Sequence, residues 1–230
     1  MKARYRVVLL DADNTLFDFD EAERRSLRHS LEARGGVYNG ETLALYLSIN
    51  RPLWEALHRG EVDQETLVVE RFRRFGAELG LTCDPAEWNR EYLAGLGNCA
   101  ALLPGAEELL GTLKPHCRLA LATNGVAEVQ RRRLAQSPIA PYFEGVFISG
   151  EMGVRKPDRD FFDRILAEMK ADRGGTVMVG DTLSSDIQGA VNAGIDSIWY
   201  SPEGGLSPLP TYRAESLERV AELILGGEGV

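Results

Sequence analysis

Val7-Val8-Leu9-Leu10-Asp11-Ala12-Asp13-Asn14-Thr15-Leu16-Phe17 is the stretch on which the reading of this 230-residue chain turns. Four aliphatic residues in succession describe a strand buried on both faces. It runs into two carboxylates at i and i+2, which an extended chain places on the same side. Such charges at the end of a buried parallel strand are costly without a cation or hydrogen-bond donors to compensate them. That edge of an open α/β sheet is also where ligands bind. Asp and Asn cap turns and helices too, so the remainder of the chain decides between a site and a set of caps.

Beyond Leu102 the pattern alternates. A helix opens at Pro104-Gly105 and runs to Leu113, followed by a strand at Leu119 to Ala122 and a helix from Val126 to Ala135. Val146 to Ile148 reads as a strand, Asp158 to Lys170 as a helix with Phe161, Phe162, Ile165 and Leu166 on one face, and Val177 to Val179 as a strand. Ser184 to Asn192 (helix), Ile195 to Trp199 (strand) and Ala214 to Leu225 (helix) complete the series. The stretch Ser201 to Pro210 reads as a surface loop, and Gly226 to Val230 as a frayed tail. Strands alternating with helices of this size predict a Rossmann-like parallel sheet.

Between the first strand and this series the texture is helical. Ala22, Leu27 and Leu31 share one side of a charged helix ending at Gly35-Gly36. A helix from Glu41 to Ile49 precedes Asn50-Arg51-Pro52-Leu53-Trp54, where Pro52 is expected to start a new short helix ending near Gly60. Asp63 caps a long helix through Phe72 and Leu79, stopped by Gly80, and Asp84-Pro85 with Glu87 opens another. The expectation is an α/β core formed by residues 1–17 and 100–230, interrupted by an all-helical domain at 18–99.

Composition narrows the function. The chain carries a formal net charge of -9 and no compact basic stretch, which excludes a generic nucleic-acid surface but not a small anionic ligand. Cys83, Cys99 and Cys117 are odd in number and in no metal-ligand spacing, so they read as reduced thiols of a cytoplasmic protein. The apolar run before Asp11 is too short for a signal peptide, and no run approaches a membrane span. A monomer or weak homodimer is expected.

The first four predicted strands end in polar residues. These are Asp11 and Asp13, then Thr123-Asn124-Gly125, then Glu151 with Lys156-Pro157, then Gly180-Asp181-Thr182 with Asp186. Carboxylates supply hard oxygen ligands for magnesium. A lysine, a hydroxyl and helix-start amides supply donors for phosphate oxygens. A divalent metal beside a phosphoryl group is the chemistry this set describes.

On these motifs, Asp11-Ala12-Asp13-Asn14-Thr15, Ala122-Thr123-Asn124-Gly125, Lys156-Pro157 and Gly180-Asp181-Thr182-Leu183-Ser184-Ser185-Asp186, the chain resembles the haloacid dehalogenase-like hydrolases, phosphatase branch, with an inserted helical cap. Within that superfamily it is most similar to pyrimidine nucleoside 5'-monophosphatases, through Asn50-Arg51-Pro52-Leu53-Trp54 and Ile148-Ser149-Gly150-Glu151. Acylneuraminate 9-phosphatases share much of the same core. The resemblance implies a magnesium-dependent hydrolase of small phosphate esters, nucleotides in preference to sugar or acylneuraminate phosphates.

The resemblance also implies roles. Asp11 is the nucleophile and Asp13 the general acid and base. The metal is held by Asp11, the backbone carbonyl of Asp13 and Asp181, with Asp186 acting through water or from behind. Thr123, Asn124 and Lys156 bind the phosphoryl group. Glu151 either positions Lys156 or is a solvated carboxylate. A dehalogenase is disfavoured because Asp13 is present, and a phosphomutase or a non-enzymatic phospho-receiver matches the insertion less well.

Leaving-group choice is then expected from the cap. Asn50, Arg51 and Trp54 are its candidates, with Phe17 near the junction, although Trp54 and Leu57 at helical spacing also suit a cap core. Arg71, Arg73 and Arg74, like Arg131, Arg132 and Arg133, are read as solvated faces. His29, His58 and His116 are scattered and carry no assignment.

Overall fold

The structure, a computed structural model, describes residues 3–226, so most of the expected C-terminal tail lies outside the described residues. The chain forms two compact units, one from its two ends (through Asp18, and from Ala100 onward) and one from Phe19–Cys99. No helix among the described residues is long and apolar enough to cross a membrane. In chain order the elements are β1 (Val7–Leu10), α1 (Phe19–Glu32), α2 (Gly40–His58), α3 (Gln64–Glu78) and α4 (Pro85–Gly97). Then come α5 (Ala106–Leu113), β2 (Arg118–Thr123), α6 (Ala127–Gln136), β3 (Phe143–Ile148), α7 (Ser149–Met152) and α8 (Arg159–Glu168). The last are β4 (Thr176–Gly180), α9 (Gln188–Ala193), β5 (Asp196–Tyr200), β6 (Tyr212–Ala214) and α10 (Leu217–Leu225).

The first unit is a parallel six-stranded sheet in the order β3-β2-β1-β4-β5-β6. The strand order reverses beside β1, and the crevice at that reversal is where doubly wound sheets hold ligands. β1 is buried on both faces, as its unbroken aliphatic run requires. Val8 and Leu10 join a core with α5 and α10, while Val7 and Leu9 join a second core with α8 and α9.

Three local features differ from expectation. Ala214 belongs to the short edge strand β6, not to the last helix, whose N-cap is Ser216 accepting from Arg219 N. A three-residue strand holding one arginine has too little periodicity to register. Ser149 to Met152 forms one helical turn, closed by Gly153 in the left-handed region. The helix expected from Ser184 begins instead as a π-turn at Leu183–Ile187, which buries Ser185 and Asp186.

The second unit is helical throughout, and its caps follow the sequence. Asp63 Oδ1 accepts from Thr66 N at 2.7 Å, and Asp84 Oδ1 accepts from Ala86 N ahead of Pro85 at the first helical position. At the start of α2, Asn39 and Thr42 exchange side-chain-to-backbone bonds of 2.9 Å in both directions. Pro52 does not start a new helix. It lies inside α2, on the exposed side, and the buried stripe Tyr46, Asn50, Leu53, Leu57 passes it unbroken. The missing N–H is thus lost on the solvent-facing side of the helix, and packing carries the helix through. Leu57 is core here, whereas Trp54 is only half-buried.

Arg71 also departs from expectation. Arg73 and Arg74 do lie on the surface, sharing Glu70. Arg71 is 2% exposed, because Leu67, Val68, Arg71, Phe72 and Phe75 form one face of α3. Its guanidinium donates to Asn89 Oδ1 at 2.9 Å, reaches Asn50 Oδ1 and Tyr46 Oη at 3.5 Å, and stacks 4.6 Å from the Tyr92 ring centre. Asn50 Nδ2 in turn donates to Glu23 Oε1 at 3.1 Å, as does Tyr92 Oη at 3.3 Å. All four helices therefore meet in one buried polar network.

Burial pushes the Glu23 carboxyl up to about 7 from an ordinary 4.5, with Arg71 opposing and Asp20 adding to the shift. A carboxyl raised in the folded state gives stability that is complete below the unfolded value and lost as pH rises through the folded one. Glu23→Gln keeps an acceptor for Asn50 and Tyr92 and removes the titration. Urea unfolding should find it no less stable than wild type at pH 4.5, and more stable at pH 8 by on the order of 3 kcal/mol. Parallel pH profiles for the two proteins would refute this account of the network.

Candidate active site

Asp11 leaves β1 with its N–H still donating to Val179 O of β4 at 2.9 Å, so the sheet itself fixes where its carboxylate emerges. After Asp13 the chain folds back. Asn14 takes a left-handed φ of 56°, its N–H donates to Phe17 O, and Leu16 and Phe17 both donate to Ala12 O. Asparagine tolerates that backbone region better than most residues.

From β4, Gly180 leads into Asp181 and the π-turn. A Cβ at Gly180 would lie 2.3 Å from Asp186 Oδ2, so only glycine lets that carboxylate occupy its place. Asp186 Oδ2 accepts from Thr182 N at 3.0 Å, and Trp199 Nε1 of β5 donates to the Asp181 carbonyl at 2.8 Å. Asp11, Asp181 and Asp186 each offer an oxygen within 4.8 Å of the others. Asp186 was expected to act from behind; it stands in the cluster itself, 1% exposed.

Lys156 reaches this cluster from the loop after α7. Its Nζ donates to Asp11 Oδ1 at 2.5 Å and Ala122 O at 2.7 Å, and lies 2.6 Å from Asp186 Oδ1. The lysine is 1% exposed. Asn124 clamps its backbone: Oδ1 accepts from Lys156 N at 3.0 Å and Nδ2 donates to Lys156 O at 2.8 Å. The Asn124 amide, expected on phosphate, is thus engaged in holding the lysine. Thr123, also buried, accepts from Gly125 N at 3.0 Å, which leaves its hydroxyl proton to donate.

Burial pushes the Asp11 carboxyl well above its ordinary range, against the pull of Lys156 and with Asp186 and Asp181 adding to the rise. Asp181 is pushed up to about 7, first by burial and then by Asp186. Burial works against the Lys156 charge, but Asp11 and Asp186 outweigh it and raise the ammonium above its ordinary value. One ammonium among three carboxylates leaves two negative charges uncompensated. The one partner of buried Asp186 Oδ1 among the described contacts is the Lys156 ammonium, which Asp11 shares. All the free donors are hard oxygens, so the cluster fits a divalent cation of the magnesium type in charge and in chemistry.

Asp13 is not part of that cluster. Its carboxylate turns to α6, where Gln130 Nε2 donates to Oδ2 at 2.6 Å and the Arg133 guanidinium pairs with Oδ1. The reading of Arg133 as solvated is wrong: it is fully buried and stacks 4.3 Å from the Phe17 ring centre. Val129, Gln130, Arg133 and Leu134 form the inner face of α6, a spacing that was present in the sequence but masked by three consecutive arginines. Arg131 alone of that run pairs with Glu151, at 2.6 Å, so Glu151 is a surface carboxylate and does not orient Lys156.

Of the residues expected to meet a leaving group, Phe17 is wholly buried in the sheet core and covered by Arg133. Asn50 is 4% exposed and its amide is taken up by Glu23 and Arg71. Arg51 is exposed and Trp54 half-buried on α2.

A family model for haloacid dehalogenase-like hydrolases matches residues 5–194. The chain belongs to the haloacid dehalogenase-like hydrolase family. Among its relatives, the pyrimidine 5'-nucleotidase PynA of Streptococcus pneumoniae is 36% identical over 225 residues, covering 96% of this chain and 95% of that protein. The pyrimidine 5'-nucleotidase YjjG of Escherichia coli is 31% identical, covering 94% and 96%. The crystal structure of the putative hydrolase YfnB of Bacillus subtilis, bound to magnesium, superposes with a TM-score of 0.91 at 32% identity, covering 96% and 99%. The similarity of this haloacid dehalogenase-like hydrolase to these relatives therefore runs through both its sheet and its helical unit.

If the three carboxylates hold a divalent ion, adding magnesium to chelator-treated protein at pH 7.5 should raise the unfolding temperature. At a hundred times the dissociation constant the gain is about 2.7 kcal/mol. Asp181→Asn should remove most of that shift. An equal shift in wild type and variant would place the ion elsewhere.

Proposed function

We propose that this hydrolase is a magnesium-dependent phosphatase that cleaves nucleoside 5'-monophosphates, pyrimidines in preference, through an aspartyl phosphate on Asp11. The observation that carries the reading is the set of buried Asp11, Lys156 and Asp186 with half-buried Asp181 at the sheet's switch point, and Asp13 two residues beyond the nucleophile. Asp11 attacks phosphorus in line, and the P–O bond to the leaving alkoxide breaks as Asp13 gives that oxygen its proton. Asp13 then takes a proton from water, whose oxygen attacks phosphorus and releases phosphate and the free Asp11 carboxylate.

Lys156 Nζ and the Thr123 hydroxyl hold the phosphoryl oxygens as charge develops, and Asn124 keeps the lysine backbone in register. When bound, magnesium held by Asp11, Asp181, Asp186 and the Asp13 carbonyl offsets the repulsion between carboxylate and phosphate. The substrate class rests on the pyrimidine 5'-nucleotidases whose similarity extends through the helical insertion. Of the candidates on α2, exposed Arg51 and half-buried Trp54 are the ones we assign to the leaving group.

A panel of phosphate monoesters, assayed with and without chelator, tests the proposal. Pyrimidine nucleoside 5'-monophosphates should head the ranking, and chelation should abolish turnover. Purine counterparts should fall behind by about 1–3 kcal/mol, the most that apolar contacts supply. A ranking led by sugar or acylneuraminate phosphates would replace the substrate class. Stoichiometric phosphate release without repeated turnover would make the protein a phospho-receiver instead.

A further inference from the structure

The contacts of Asp13 reach beyond the four motifs. Two side chains of one helix face, Gln130 and Arg133, each hold one of its carboxylate oxygens. Both are themselves buried, and Gln130 is 1% exposed. Gln130 can reach Asp13 only because residue 125 is glycine, since a Cβ there would lie 2.1 Å from Gln130 Nε2 and 2.9 Å from its Cδ. Arg133 is fixed from the other side by the Phe17 ring, and the Phe17 backbone closes the same turn that carries Asp13. The turn, the glycine and the helix face thus determine one another.

We propose that Gln130 and Arg133 are positioning residues that fix the Asp13 carboxyl for proton transfer. The inference rests on Asp13 being the general acid and base. A short side chain after a strand has few rotamers, but in a solvated loop it samples all of them. Two donors on opposite oxygens select one rotamer and set the plane of the carboxyl as well. That is the orientation a proton-transfer group must have within tenths of an ångström of the oxygen it serves. A buried arginine whose only task was stability would be an odd choice, because an apolar residue of similar volume serves a core equally well.

The test compares Asp13→Asn, Arg133→Met, Gln130→Leu and the two double variants with Asp13→Asn, on an alkyl and an aryl phosphate in saturating magnesium. Arg133→Met and Gln130→Leu should lower kcat about tenfold to a hundredfold with KM little changed. Their losses should vary between the two esters as the Asp13→Asn loss does, because all three act through one carboxyl. In the Asp13→Asn background each should cost less than about twofold, since there is no acid–base group left to position. Arg133→Lys should recover part of the Arg133→Met loss.

Losses that multiply in the double variants, or that are equal on both esters while Asp13→Asn discriminates, would overturn the positioning role. An Asp13→Asn protein with full activity on both esters would instead overturn the acid–base reading, a distinguishable result. Should Arg133→Met fail to fold, Gln130→Leu carries the same comparison without removing a charge.

Discussion

The ammonium of Lys156, wedged between Asp11 and Asp186 beneath the Ala122 carbonyl, is the contact on which the α/β unit depends. An ion pair in so buried a place repays its desolvation only when every group is held in position and its remaining bonds are met. Bonds from the sheet and its loops meet the first of these conditions. Asp11 is anchored by its own ladder bond to β4, Asp186 by Thr182 N, Asp181 by the Trp199 indole on its carbonyl, and Lys156 by the Asn124 clamp. Strands β1, β2, β4 and β5 thus each contribute to one charge cluster, and the parallel register that brings their ends level is a precondition of the site.

Much of this was legible because it depends on short-range pattern. Four aliphatic residues before Asp11 specify a two-sided strand whichever neighbours it finds, and the βαβ alternation then brings the later motifs to the same edge. The caps at Asp63 and Asp84 are local bonds between residues two or three apart. Pro52 marks the limit of local rules: its ring forbids one hydrogen bond, yet the Tyr46-Asn50-Leu53-Leu57 stripe holds the helix across it.

The arginines show a different limit. Arg71 and Arg133 sit beside exposed arginines and among acidic residues, so composition assigns all of them to water. Helix phase assigns them otherwise: Arg71 is four residues from Leu67 and from Phe75, and Arg133 four from Val129. A charged residue on the apolar phase of a helix signals a buried partner, but sequence does not name that partner. Here it is Asp13 for one arginine and an Asn50-Asn89 pair for the other, at separations of 120 and about 20 residues. Asn50 is the same case: its place on the inner stripe of α2, and not its place in a motif, sets its partners Glu23 and Arg71.

The two catalytic candidates, Asp11 and Asp13, are close in sequence and yet belong to different electrostatic settings. Alternation along an extended chain would send both carboxylates to one side, where a single cation would have to serve them. The turn at Asn14 ends the extended run, and Asp13 passes to the donors of α6 while Asp11 stays with Lys156. Each aspartate then has a cation of its own, one a compact ammonium and one a planar guanidinium. Arg133 and Asp13 compensate each other as a pair, so the deficit of two charges left by Asp11, Asp181 and Asp186 around Lys156 is confined to one cluster. The fold thereby separates the three-carboxylate cluster around Lys156 from the Asp13 carboxyl, although only one residue, Ala12, lies between the two aspartates.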